Sequence, residues 1–110
     1  GSYAAVAEAM ALGERLDLPM DQVVEALKSG AAGSWALNHR SAGILAGHYP
    51  LGFRLALHHK DLGIALEAAE SVQLELPISR MVRQMEHDLM QQGHSDEDVS
   101  ALHRQFDAKS

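Results

Sequence analysis

The chain has 110 residues, no cysteine, and nine lysines and arginines against fifteen aspartates and glutamates, which gives a net charge of -6. This length predicts a single domain with its own hydrophobic core, and the lack of cysteine excludes disulfides and thiolate metal sites. The negative charge argues against general affinity for nucleic acid or anionic membranes, so an anionic ligand would need a local cation.

The ends of the sequence suggest a domain of residues 3–110 cut from a longer protein. Gly1 and Ser2 resemble a cloning remnant, and helical periodicity starts directly at Tyr3, as in a helix that is cut rather than begun. No apolar run is long enough to span a bilayer, and no segment resembles an export signal, so a cytoplasmic location is expected.

The first half of the sequence predicts three helices joined by short loops. An alanine-rich helix covers about residues 3–16. A second helix covers about residues 22–28, with Asp21 as its N-cap. A small loop at residues 31–33 leads to a third helix, which Ser34 caps and Gly47 ends.

A turn at residues 48–52 precedes the helix predicted to be the longest and most central, from about Leu55 to Val72. Its buried face is predicted to consist of Leu55, Leu62, Ala65, Leu66, Ala69 and Val72. Gly63 lies in its interior one turn after Lys60, where glycine costs about 1 kcal/mol relative to alanine, so some group is expected to approach closely there. From spacing alone, the simpler explanation is a helix crossing at Gly63, with Lys60 an ordinary solvated charge.

Two more helices complete an all-α fold, a compact bundle of about six helices. Pro77 starts the fifth, which continues to about Gly93. Its predicted inward side chains are Ile78, Met81, Val82, Met85, Leu89 and Met90. Ser95 is predicted to cap a last short helix, with Asp98 three residues later as in a capping box.

The seven histidines do not predict a metal site. His58 and His59 are adjacent, so on a helix they point about 100° apart, and no His-x-x-x-His pair occurs. One of the two, close to Lys60, remains a candidate for lining a pocket.

Ser34, Trp35 and Phe53 are candidates for a ligand site. The free N–H groups at the start of a helix can bind an anion at Ser34, although the only tryptophan is expected to fill the core or an interface. Phe53 either lines a pocket or packs in the core, and the core is the simpler interpretation. The sequence contains no Gly-x-Gly-x-x-Gly and no Walker loop, so it carries no nucleotide-binding unit of its own.

Four stretches of this sequence resemble motifs of the β-hydroxyacid dehydrogenases, the family of 3-hydroxyisobutyrate dehydrogenase and tartronate semialdehyde reductase. Residues 60–67, Lys-Asp-Leu-Gly-Ile-Ala-Leu-Glu, are similar to the family's Lys-Asp-Leu-Gly-x-Ala-x-Asp. Residues 7–12 contain its Ala-Glu-Ala segment, and residues 51–53 are similar to its Pro-Gly-Phe turn, with leucine for proline. Residues 93–102 are similar to its closing Gly-x-Gly-Asp-x-Asp-x-Ser-Ala-Leu.

The resemblance implies the all-helical C-terminal domain of such an enzyme, packed beside a Rossmann domain that this chain lacks. NAD or NADP and a small hydroxy acid would occupy the cleft between the domains. Lys60, Asp61 and Phe53 would then be cofactor-binding, and Trp35 and Ser34 substrate-side. No catalytic residue would lie on this chain, because the family's catalytic lysine belongs to a motif upstream.

The resemblance also changes the interpretation of Gly63, which would clear room for the cofactor and the partner domain. It further implies that the isolated chain is inactive. A homo-oligomer is expected on a separate ground, because a domain cut from its partner exposes an apolar face through which it can associate. The alternative is a non-catalytic helical interaction or oligomerisation module, which kept the fold and lost the chemistry.

Overall fold

A computed structural model of the chain describes residues 1–31 and 33–107. It contains five α-helices and a terminal 3₁₀ helix: α1 Ser2–Arg15, α2 Met20–Lys28, α3 Trp35–Ala46, α4 Leu55–Ser71, α5 Pro77–Gln91 and the 3₁₀ helix Val99–Phe106. The described residues form no strand, only an isolated bridge between Arg54 and Asp98. The all-α prediction is therefore confirmed. Residues 108–110 of the predicted domain and Ala32 of the predicted loop lie outside the described residues.

Local capping signals explain α3 but not α2. The Ser34 hydroxyl accepts a hydrogen bond of 3.0 Å from the Leu37 N–H, and Gly47 ends α3 with a positive φ of 67°, both as predicted. In contrast, α2 begins at Met20 after Pro19, and Asp21 lies in its first turn instead of capping it. None of the described helices combines the length and apolarity needed to cross a membrane.

The core is built around α1 and the 3₁₀ helix, not around α4 as the sequence predicted. Met10 of α1 and Leu102 of the 3₁₀ helix are fully buried, and these two helices pack closely together. On α4 only Leu55 and Ala69 are buried, while Ala65 is exposed and Val72 is 70% exposed.

The prediction of a continuous buried face on α4 fails because this helix packs mainly against α5. The two helices form a hairpin, and side chains at its turn lie on the surface. Ile78 and Met81, predicted to face inward from α5, are also exposed there.

The last helix begins three residues later than the capping box predicted. Its N-cap is Asp98, whose side chain accepts a hydrogen bond of 3.0 Å from the Ser100 N–H. The Ser95 carbonyl instead accepts from the Ala56 N–H at 3.1 Å. Because residues 95–98 are bonded to the start of α4, the helix can begin only after them.

Asp98 is fully buried and joins three parts of the fold. Its Oδ1 accepts from the Phe53 N–H at 2.8 Å, and its Oδ2 accepts from Ser100 and from the Arg40 Nε at 3.0 Å. Burial raises the pKa of Asp98, but hydrogen bonds from Ser100, Phe53 and Arg40 outweigh burial and hold this pKa below its usual value.

We expect the free energy of unfolding to decrease as the pH falls below about 4, the usual pKa of aspartate. A carboxylate with a lower pKa in the folded chain stabilises it above that pH, and this contribution is lost as the pH falls through the folded-state pKa. Asp98→Asn should cost about 3 kcal/mol or more at neutral pH and flatten the acid dependence. Urea unfolding at several pH values measures both effects.

The control is Asp96→Asn, which changes a side chain that is 86% exposed in a surface ion pair with Arg54. It should change stability by no more than about 0.5 kcal/mol. If the free energy of unfolding of the Asp98→Asn variant still decreases with falling pH as much as that of wild type, Asp98 is not the source of the acid dependence.

Candidate functional site

Trp35 begins α3 on the surface of the protein. Its side chain is 54% exposed, so the expectation that it fills the core is wrong, and a role at an interface remains a prediction. The ring stacks on His39 with 4.3 Å between centroids, and the Arg40 guanidinium lies 4.7 Å from the ring centroid. Two neighbours from the same helix thus hold an exposed aromatic ring in place.

Tyr3 and His58 connect Trp35 with Phe53. The Tyr3 ring lies edge-on to Trp35 at 6.5 Å and to His58 at 6.4 Å, and Phe53 lies edge-on to His58 at 5.6 Å. We call Tyr3, Trp35, Phe53 and His58 the aromatic wall. Two predicted site residues, Phe53 and Trp35, therefore belong to one surface.

Phe53 packs against the core, as the simpler interpretation of the sequence predicted, and its role in lining a pocket stays a prediction. It is half-buried and packs against the core cluster, while its outer part joins the aromatic wall. Its N–H donates to Asp98, and its carbonyl accepts from the Val99 N–H at 2.8 Å. Because Asp98 also binds Arg40 beneath Trp35, one buried carboxylate positions both ends of the wall.

The wall's Tyr3 hydroxyl is a weaker acid than a free tyrosine. Burial raises the pKa of Tyr3, the Arg40 charge lowers it, and the Asp98 charge raises it, with a net increase. The hydroxyl therefore stays protonated at neutral pH and can donate a hydrogen bond.

Lys60 and Asp61 are both exposed on α4, but they face different sides. Asp61 follows His58 by three positions, so it lies on the side of the helix nearest the wall. Lys60 follows His58 by two positions, about 200° around the helix. Lys60 lines a groove of about 440 Å³ between α4 and α5, together with Gly63, Glu67, Arg80 and other side chains.

The space beside Gly63 is occupied by Arg83 of α5. A Cβ atom at Gly63 would lie 2.9 Å from the Arg83 Nη2, and the Arg83 Nε donates to the His59 carbonyl at 3.2 Å. The group that approaches Gly63 is therefore an arginine side chain of α5, the helix that packs against α4. The room that the resemblance assigned to the cofactor and a partner domain is taken by an arginine of this chain.

Sequence reasoning missed Tyr3, Arg40 and Glu86. Glu86 is fully buried on α5 and bonds to His58. Its signal was an acid on the inward face of an amphipathic helix, between Val82 and Leu89. Within the described ranges, no group of three or more histidines, aspartates and glutamates is arranged to hold a metal ion.

Comparison with known proteins identifies the family. Residues 1–106 match the family model described as NAD-binding of NADP-dependent 3-hydroxyisobutyrate dehydrogenase. The chain belongs to the 3-hydroxyisobutyrate dehydrogenase family. The resemblance seen in the sequence is thus confirmed, and the expected cofactor, NAD or NADP, agrees with the description of the family.

Named relatives point the same way. An L-threonate dehydrogenase of Cupriavidus necator is 36% identical over 103 residues, which cover 94% of this chain and 35% of the relative. The uncharacterized oxidoreductase YkwC of Bacillus subtilis is 33% identical over 99 residues, 90% of this chain and 34% of the relative. The chain thus spans about a third of the length of these relatives.

Solved structures share the fold. The 3-hydroxyisobutyrate dehydrogenase of Salmonella typhimurium matches with a TM-score of 0.86 and 29% identity, over 93% of this chain and 36% of that one. The Mycobacterium tuberculosis 3-hydroxyisobutyrate dehydrogenase, solved with L-serine, matches with a TM-score of 0.85 over 97% of this chain and 39% of that one. At 23% identity, the second match shows the fold alone.

Two glycines in helix interiors should respond differently to alanine. At Gly43 a Cβ would lie 2.8 Å from the His48 carbonyl oxygen, which is backbone, so Gly43→Ala should cost about 1–3 kcal/mol through overpacking. At Gly63 the obstacle is the flexible tip of Arg83. Gly63→Ala should therefore change stability little. The gain of about 1 kcal/mol in helix propensity offsets the loss of the hydrogen bond from Arg83 to the His59 carbonyl, which is of similar size.

Urea unfolding of the two variants tests this difference. Equal losses of stability, or a larger loss for Gly63→Ala, would contradict the role assigned to Arg83.

Proposed function

We propose that this chain is the C-terminal helical domain of an NAD(P)-dependent dehydrogenase that acts on a small β-hydroxy acid. In the parent protein it would pack beside a Rossmann domain and contribute one side of the cofactor and substrate cleft. The family match over residues 1–106 is the observation that carries this proposal, and the names of the relatives support it.

The exposed cation of the Lys-Asp motif fits an anionic cofactor. Lys60 presents an ammonium group to solvent on a chain whose net charge is -6, and Arg80 and Arg83 line the same groove together with Glu67 and Glu70. We assign Lys60 to the anionic oxygens of the dinucleotide. Asp61 and Phe53, on the side of α4 nearest the aromatic wall, are assigned to a polar contact and a packing contact at another part of the cofactor. When bound, the nicotinamide supplies the hydride chemistry, while the protein binds and orients it.

We assign Trp35 and Ser34, at the other end of the aromatic wall from Phe53, to the substrate side of the proposed cleft. The ring of Trp35 is exposed yet held by His39 and Arg40, so it can exclude water from a small ligand at little entropic cost. The Ser34 hydroxyl caps α3, and its contribution is to hold Trp35 at the first helical position. Proton transfer is assigned, as the family resemblance implies, to a lysine that is not part of this chain.

The second candidate, a helical interaction or oligomerisation module, draws support from one apolar surface. At the turn of the α4–α5 hairpin, Val72, Leu74, Ile78 and Met81 are 70%, 57%, 63% and 61% exposed. Large apolar side chains left exposed in one region of a protein are typical of interfaces, so this region fits an association contact in a homo-oligomer. A Gly-x-Gly-x-x-Gly motif and a lysine upstream in the gene would favour the enzyme, and their absence would favour the module.

Lys60→Ala in the full-length protein tests the cofactor assignment. A lost hydrogen bond between charged groups is worth about 1.5–3 kcal/mol, so the KM for NAD(P) should rise roughly 10-fold to 100-fold. The KM for the hydroxy acid should change much less. Steady-state kinetics with each substrate varied separately measures both.

The matched control is Lys28→Ala, which removes a lysine that pairs with Glu25 on α2, at a distance of 3.6 Å. It should leave both KM values unchanged. If Lys60→Ala behaves like this control, Lys60 is only a surface charge.

The purified 110-residue chain alone should neither oxidise hydroxy acids nor consume NAD(P)H. It has no Gly-x-Gly-x-x-Gly motif with which to hold the pyrophosphate. A spectrophotometric assay at high protein concentration checks this, and measurable turnover would contradict the proposal that the activity requires a second domain.

A further inference from the structure

The buried Glu86 fixes the orientation of His58. Glu86 lies on α5 with none of its surface exposed, and a hydrogen bond joins the Nδ1 of His58 to its Oε2. This bond sets the direction of the Nε2 atom on the other side of the ring. A hydroxyl group can form a hydrogen bond with Nε2 because a hydroxyl both donates and accepts.

The neighbouring His59 has a different environment. Its Nδ1 is buried without a hydrogen-bond partner, 4.0 Å from the Glu86 Oε1. Burial, and then the Arg83 charge, lower the pKa of His59. Its carbonyl accepts a hydrogen bond from Arg83 of α5, so His59 belongs to the packing between the helices.

His58 instead belongs to the aromatic wall. Its ring lies edge-on to both Phe53 and Tyr3, and its side chain remains 17% exposed. Within the described residues, no hydrogen bond uses its Nε2, and this atom is not among the buried polar atoms left without a partner. His58 thus places a polar ring nitrogen between Tyr3 and Phe53 in the aromatic wall.

We propose that the His58 Nε2 forms a hydrogen bond with a hydroxyl group of the substrate other than the one that is oxidised, and that Glu86 is its positioning residue. The inference rests on the proposed function, because it places the substrate against the aromatic wall. A site that forms a hydrogen bond with a substrate hydroxyl discriminates strongly against analogues without this hydroxyl. An apolar pocket discriminates only weakly between substrates of similar shape. His58 is therefore assigned as a specificity residue for β-hydroxy acids that carry a second hydroxyl.

The test uses the full-length protein and two β-hydroxy acids that differ by one further hydroxyl, such as 3,4-dihydroxybutyrate and 3-hydroxybutyrate. Wild type should prefer the hydroxylated acid by at least about tenfold in kcat/KM. His58→Asn keeps an amide donor near the position of Nδ1 and removes Nε2, so this preference should largely disappear while the KM for NAD(P) is unchanged. His58→Gln, whose amide reaches the position of Nε2, should restore part of the preference.

The control is His87→Asn, the same change at an exposed histidine of α5, which should keep the full preference. A measurement on wild type does not depend on the folding of any variant: the ¹⁵N signal of the His58 Nε2 should shift when the hydroxylated acid binds.

The outcomes separate the two proposals. If wild type turns over no hydroxy acid with NAD or NADP, the proposed function fails and this inference fails with it. If wild type is active but shows no preference for the second hydroxyl, or if His58→Asn keeps the preference, only the role of His58 is overturned. An Nε2 signal that does not respond to the bound acid also overturns it.

Discussion

The hydrogen bonds of the Asp98 carboxylate are the constraint on which the rest of the structure depends. They join the 3₁₀ helix to the turn before α4 through Phe53, and to α3 through Arg40. A buried carboxylate is tolerated only when such donors replace its hydration. Residues 93–102, the closing motif of the family, therefore fix the position of the segment that carries Phe53 and the start of α4. They do so through hydrogen bonds of this segment to residues 95–99.

Two other acids each bond to a histidine that is distant in sequence, although the Oε1 of the buried Glu86 has no hydrogen-bond partner within the described residues. Glu86 bonds to His58 across 28 positions of sequence, and Glu14 accepts from the His103 Nε2–H at 2.7 Å across 89 positions. The Tyr49 hydroxyl completes the second link by donating to the His103 Nδ1 at 2.9 Å, and burial, with the Asp107 charge next, raises the pKa of Tyr49 to about 12. These histidines connect elements that are distant in sequence, which is a structural use of imidazole.

Features set by neighbouring residues could be predicted from the sequence, and those set by distant partners could not. Ser34 and Gly47 bound α3 as expected because a cap acts over three or four positions. The cap at Asp98 was misplaced because its other donors come from Arg40 and Phe53, 58 and 45 positions away. The exposure of Trp35 and Val72 was missed because periodicity shows that a face is apolar but not what covers it. For the candidate site, the motifs drew attention to Lys60 and Phe53, but only the packing of α4 against α5 could show Glu86 behind His58.

The domain offers two different surfaces on either side of α4: a groove with the Lys60 ammonium, and an aromatic wall with the polar His58 at its centre. A crystal structure of the full-length protein with NAD(P) and a hydroxy acid would test most directly whether both belong to one cleft. The account predicts the Lys60 ammonium within hydrogen-bonding distance of an oxygen of the cofactor, and the hydroxy acid against Trp35 and His58. Lys60 on the outer surface without contact to the cofactor, or the wall covered by another part of the protein, would contradict it.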